Sequence, residues 1–157
     1  MHRIEVGGGT LALAPLPVGD AALAAVLGWR PDVVLSLTDV AERAALGAGD
    51  LPVQVMRAGI GWIALPVADY GVPPDWAMWA AVSARLRGVL AAGGRVLIHC
   101  RGGCGRSGMA ALRLMVETGE VPEAALARLR AVRPCAVETA AQQDWAMRAA
   151  GPDLSGS

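Results

Sequence analysis

One short stretch, His99-Cys100-Arg101-Gly102-Gly103-Cys104-Gly105-Arg106-Ser107, carries most of the reactive chemistry in this chain. Its glycines, with Gly108 just beyond, let the backbone curl so that successive N–H groups converge on an anion. The helix that follows adds its positive end. Cys100, at the floor of such a cup, faces donors that favour the thiolate, which is the nucleophilic form. Arg106, six positions later, can grip two oxygens of a tetrahedral oxyanion with its planar fork. Arg101, Gly102, Gly103, Cys104 and Gly105 form the rest of the phosphate-sized wall. Ser107 brings a hydroxyl that can donate to the sulfur when it departs. The stretch is not a nucleotide P-loop, because that pattern needs a lysine and the chain has none.

The elements around this loop must hold it rigidly. Arg95–His99 (RVLIH) reads as a buried strand running straight into it, and a helix over about 108–118 runs out. Further strands are expected at 3–6, 10–14, 32–37 and 61–67. Helices are expected at 20–27 (capped by Asp20 and stopped by Gly28), 40–46, 75–92, 122–132 and 139–149. Strands alternating with helices imply an α/β domain: a central, mainly parallel sheet of four or five strands with helices on both sides. Residues 1–150 are expected to form that single domain, and 151–157 a disordered tail.

Composition narrows the function classes. The chain has 157 residues, 54% hydrophobic and 18% charged, unlike a disordered polymer. Fourteen basic and fourteen acidic residues cancel, so nothing points to a nucleic acid partner. No run of about 18 apolar residues suggests a membrane span. Three cysteines are too few and too odd for a disulfide scaffold, and a reducing cytoplasm is the expected setting. A monomer is the default.

The quoted loop matches the H-C-x5-R-[ST] signature of the cysteine-based protein tyrosine phosphatases, and the single-domain length resembles their dual-specificity branch. The stretches Leu35-Ser36-Leu37-Thr38-Asp39, Leu65-Pro66-Val67-Ala68-Asp69-Tyr70-Gly71-Val72-Pro73 and Arg133-Pro134 with Val137-Glu138-Thr139-Ala140-Ala141-Gln142 resemble bacterial phosphatases related to kinase-associated phosphatase. That resemblance covers roughly 30–145. It implies a phosphatase acting on phosphorylated proteins or small phosphoesters. Cys100 would attack phosphorus, Arg106 would bind the phosphoryl oxygens, Ser107 would ease thiolate departure, and His99 would help hold the loop. It implies neither metal nor other cofactor. The family's general acid precedes the cysteine by about thirty residues, which selects Asp69, 31 positions before Cys100. Gln142 aligns with a glutamine that orients the hydrolytic water.

Simpler readings stand beside these. Asp69 could be a turn residue. Asp75, the rival acid, reads as the cap of the 75–92 helix, and Asp39 also reads as a cap. Thr139-x-x-Gln142 is a capping box needing no catalysis. Cys104 reads as a small filler, with a trapping disulfide to Cys100 as the alternative, and Cys135 as inert. Arg101 is the loop residue most able to face outward. A sulfurtransferase would need a loop one residue shorter. A binding-only phosphatase relative and a Cys100–Cys104 thiol redox protein remain as rival functions.

Overall fold

The computed structural model describes residues 1–148. The expected helix end at Ala149 and the tail at 151–157 lie outside them. Five strands form one sheet: β1 (His2–Val6), β2 (Gly9–Ala14), β3 (Val33–Ser36), β4 (Gly61–Ala64) and β5 (Arg95–His99), in the order β1-β2-β5-β3-β4. Only β1 runs antiparallel to its neighbour; β2, β5, β3 and β4 are parallel. The architecture is therefore the mainly parallel α/β sheet expected.

Alternation along the central strands divides the core into two layers. Val96 and Ile98 of β5, Val33 and Leu35 of β3, and Leu11 and Leu13 of β2 point to one face. There they meet Trp79, Leu86 and Leu90 of α4 (Trp76–Ala91) and the apolar side chains of α5 (Gly105–Glu117). Helices α6 (Pro122–Val132) and α7 (Ala140–Met147) complete that layer. Leu97, Val34, Ala12 and Ala14 point the other way, onto α1 (Asp20–Trp29) and α3 (Leu51–Arg57). Helix α5 is buried along nearly its whole length, so the segment leaving the loop is anchored in the thicker layer. No described helix is long and apolar enough to cross a membrane.

Several boundaries differ from the sequence expectation. Asp20 does not cap α1; Gly19, in the left-handed region at φ 87°, occupies the cap without a side-chain bond. Nor does Gly28 stop that helix, which runs to Trp29 and turns at Arg30 with φ 54°. The pattern also conceals α3, whose apolar residues are interrupted by Pro52 and Gln54. The most consequential shift is at α5, which begins at Gly105, three residues before the expected start. Arg106 and Ser107 thus belong to its first turn and inherit a helical orientation. Short α2 (Val40–Ala45) is capped by Asp39, whose Oδ1 accepts the Glu42 N–H at 2.7 Å. Asp75 caps α4 through the N–H groups of Ala77 and Met78.

Candidate active site

The loop from Cys100 to Cys104 bridges β5 and α5, and its carbonyls are held from outside. Arg101 O accepts from Leu16 N at 3.0 Å. Gly102 O and Gly103 O accept from the Arg133 guanidinium at 2.9 and 3.2 Å. Cys104 O accepts from Gly108 N at 2.8 Å and Val137 N at 3.3 Å. In a planar trans peptide the following N–H points opposite to its C=O. With the carbonyls drawn outward, the N–H groups of Gly102, Gly103, Cys104 and Gly105 turn to the other side, making a concave row of donors. Gly103 N–H donates to Cys100 Sγ at 3.3 Å, which locates the sulfur at the bottom of that row. Cys100 is buried and unbonded to any other cysteine.

Glycine is required at particular points of this loop. Gly103 has φ 72°, and a Cβ there would lie 2.6 Å from the backbone carbon of Ala14. A Cβ on Gly108 would lie 2.6 Å from Val137 N, blocking the close contact of α5 with the segment before α7.

Arg106 is fully buried, yet its guanidinium is clamped. Its Nη1 and Nη2 donate to the two carboxylate oxygens of Glu42 at 2.9 and 2.8 Å, and Nη1 also donates to Val67 O at 3.0 Å. Among the described residues, Nε is the one side-chain nitrogen of Arg106 without a protein partner, and it is buried. The paired hydrogen bonds from Arg106 lower the Glu42 pKa, and the same contact raises that of Arg106. The contact thus favours the charged form of both groups. Glu42 was not anticipated as a site residue. The signal was present in Asp39-Val40-Ala41-Glu42: a cap followed by an acid three positions later starts a helix whose first turn faces the sheet's carboxyl end.

Asp69 lies at the rim. Its Oδ1 stands 3.6 Å from Arg106 Nη2 and accepts the Tyr70 N–H at 3.0 Å. Tyr70 has φ 62°, so the chain makes a tight left-handed step immediately after the carboxylate, closed by Gly71 N to Ala68 O at 2.8 Å. Asp69, Tyr70, Cys100, Arg101, Gly102, Cys104, Arg106 and Glu138 line one open cleft of about 320 Å³. Arg101 is exposed at its edge. Asp75 is absent from that lining, its side chain being engaged in the α4 cap.

His99 and Ser107 are both wholly buried. Burial pushes the His99 pKa down to about 4, so the ring is neutral. Its Nδ1 must then carry the proton that it donates to Cys100 O at 3.1 Å, since a carbonyl can only accept. That bond fixes the peptide leaving Cys100. Ser107 Oγ has no partner among the described residues, which leaves the hydroxyl rotor available to another acceptor. Gln142 is buried, and both ends of its amide are hydrogen-bonded. Its Oε1 accepts from Glu138 N and Thr139 N at 3.0 and 3.3 Å, and its Nε2 donates to Gly71 O at 3.1 Å. The expected capping box is present, and the side chain also ties α7 to the Asp69 turn. The amide nitrogen carries a second N–H beyond the one given to Gly71 O, so these bonds leave a donor with which a water can be oriented.

The cysteine pairing corrects the sequence reading. Cys104 is neither a filler nor a partner of Cys100: it forms a disulfide with Cys135, their Cα atoms 5.2 Å apart. Cys135 is accordingly not an inert thiol. The distance in sequence, 31 residues, hid a pairing that arises because the turn after α6 folds back beneath the loop.

The match to known proteins follows this geometry. The phosphatase-domain model of the Swiss Army Knife proteins, a dual-specificity and tyrosine phosphatase family, matches residues 32–146. The chain belongs to that family and is a phosphatase of the cysteine-dependent tyrosine and dual-specificity class. Among solved structures, kinase-associated phosphatase with serine replacing its catalytic cysteine superposes at TM-score 0.83 with 20% identity, over 99% of this chain and 95% of that one. The active form of Tk-PTP gives TM-score 0.71 and 26% identity over 92% of each chain. PTPMT1 in complex with PI(5)P gives 0.77 and 19%, over 93% and 92%. A comparison with curated protein sequences finds no match.

Proposed function

We propose that this phosphatase hydrolyses phosphomonoesters through a phosphocysteine, with phosphotyrosine and phosphoserine or phosphothreonine of proteins as the substrate class. The observation that carries the reading is the shared cleft: Cys100 at its floor, Arg106 in its wall and Asp69 at its rim. In the first step Cys100 Sγ forms a bond to phosphorus as the ester P–O bond breaks. Arg106 Nε and the inward N–H groups of Gly102, Gly103, Cys104 and Gly105 stabilise the transferring oxygens. Asp69 gives its proton to the leaving oxygen. In the second step Asp69, now a carboxylate, takes a proton from water as the water attacks phosphorus. Ser107 donates a hydrogen bond to the departing sulfur. His99 acts through the loop rather than on substrate, since its one N–H is committed to Cys100 O. Gln142 is assigned to water orientation through the second N–H of its Nε2, the first being held by Gly71 O.

Arg101 at the open edge favours acidic surroundings of the phosphoryl group. The reading keeps the enzyme a monomer in a bacterial cytoplasm without nucleic acid or membrane partners, in line with its balanced charge. Leaving-group dependence tests the acid assignment. Asp69→Asn is expected to slow phosphotyrosine hydrolysis by about 10²–10⁴-fold, and p-nitrophenyl phosphate hydrolysis far less. Asp75→Asn giving that pattern instead would overturn it.

A further inference from the structure

We propose that the Arg133-Pro134-Cys135 turn is a redox-controlled clamp on the phosphate loop: Arg133 is a positioning residue, and the Cys104–Cys135 disulfide is the clamp's reversible half. The proposal deepens the phosphatase reading, since it concerns how the same cup is held.

Two independent attachments converge on the loop from this one turn. Arg133 donates to Gly102 O and Gly103 O, and its Nη2 also stands 3.4 Å from Cys104 Sγ. Its remaining amino group rests on His2 Nε2 at 3.1 Å, which aims the guanidinium from behind. One residue past Pro134, Cys135 bonds Cys104 covalently. Together they fix the carbonyls of Gly102 and Gly103 outward and the Cα of Cys104 in place, and those constraints turn the N–H groups of Gly103, Cys104 and Gly105 into the cup. The disulfide leaves Cys100 free. It therefore does not inactivate the nucleophile, and it occupies the one loop thiol that could otherwise capture an oxidised Cys100. Cys135 is exposed and Cys104 partly so, which gives small thiols and disulfides access to the bond.

The chemistry needs a low-molecular-weight disulfide such as glutathione disulfide. The Cys135 thiolate attacks one of its sulfurs and expels a thiolate, leaving a mixed disulfide. Cys104 sulfur then attacks the Cys135 sulfur and expels the second small thiolate. Two protein thiols lose two electrons and two protons, and two small thiols are produced. In a reducing compartment the bond is expected to be transient, as cytosolic disulfides usually are.

The test equilibrates the intact protein in reduced or oxidised glutathione, then counts alkylated cysteines by mass after denaturation. The oxidised protein is expected to show one, Cys100, and the reduced protein all three. Inorganic phosphate affinity is measured by calorimetry, which needs no turnover, alongside p-nitrophenyl phosphate kinetics. Oxidation should tighten phosphate roughly three- to tenfold and lower KM in parallel, with kcat within about twofold, as expected for a contact made equally before and during reaction. Cys135→Ser should stay at the reduced value in both buffers. Arg133→Ala should weaken phosphate more in the reduced than in the oxidised protein, because the disulfide then holds the loop alone, and Arg133→Lys should recover part of the loss. Failure of the disulfide to form, a disulfide that consumes Cys100, or equal phosphate affinity in the two states would each overturn the clamp. If Arg133→Ala does not fold, the unaltered protein in two buffers still decides. Absent hydrolysis with a redox-dependent phosphate affinity would defeat the phosphatase reading and leave the clamp standing.

Discussion

The two sides of the phosphate cup are held by opposite halves of the chain and by different forces. Arg106 is gripped from the N-terminal half, where Glu42 of α2 meets it with two short charge-assisted hydrogen bonds. The backbone from Gly102 to Cys104 is gripped from the C-terminal half by Arg133 and by a covalent bond from Cys135. The first grip orients a side chain and responds to protonation; the second orients peptide units and responds to thiol oxidation. A single anion site thus rests on one electrostatic support and one support that includes a chemical bond. A signature loop specifies the reacting groups, while distant segments specify whether those groups stay aimed.

Breaking either side separates the two supports. The largest effect short of removing the nucleophile is expected from Arg106→Ala: about a 10³-fold loss of kcat/KM on p-nitrophenyl phosphate, because the developing oxyanion charge loses its principal partner. It also removes the chief influence that holds the Glu42 pKa down. Glu42→Gln keeps the size of the side chain but removes the charge that aligns the guanidinium. It should lower kcat/KM by about 10- to 100-fold, by the same factor in reducing and oxidising buffer. A loss that depends on the buffer would mean that the two grips are coupled through the loop rather than separate.

The smallest effect is on stability, measured by urea unfolding with and without His99→Asn. His99 is neutral in the fold, its pKa lowered to about 4, whereas an unfolded histidine titrates near its ordinary value of 6.5. Its contribution is therefore fully present above about pH 6.5 and is lost as pH falls from there toward 4, where the unfolded chain gains a proton that the fold resists. Between about pH 7 and pH 4.5 the loss should approach 2 to 3 kcal/mol. Glu42 has the opposite kind of shift in a carboxylate, a lowered pKa. It adds stability above its unfolded value of 4.5 that is lost only below that. Asparagine at position 99 should flatten the upper part of the acid slope and leave the lower part in place.

Much of this molecule was legible because its signals are local. Short continuous runs of Val, Leu and Ile in β3 and β5 marked buried strands; Cys100, Arg106 and Ser107 read as an anion cup with a nucleophile, and their resemblance to a family signature implied a cysteine phosphatase. Asp75 and Asp39 read as caps because a carboxylate three residues before a helical N–H has few better uses. What escaped depended on long-range packing. Glu42 meets Arg106 across 64 residues of sequence; the local pattern from Asp39 to Glu42 marks a helix start but does not name the arginine that the acid meets. Cys104 and Cys135 needed the fold-back after α6 to become neighbours. The start of α5 was misjudged because a glycine-rich turn hides a helical first turn, and α3 because its proline and glutamine interrupt the apolar run.

Hydrolysis of p-nitrophenyl phosphate in the presence of EDTA, by the wild-type chain and by Cys100→Ser, tests the central claim most directly. The account predicts metal-independent turnover by the wild type and a loss of at least about 10⁴-fold in the variant, with calorimetric phosphate binding retained. Comparable turnover by both proteins, or none by a folded wild type whose Cys100 is shown to be reduced, would contradict it.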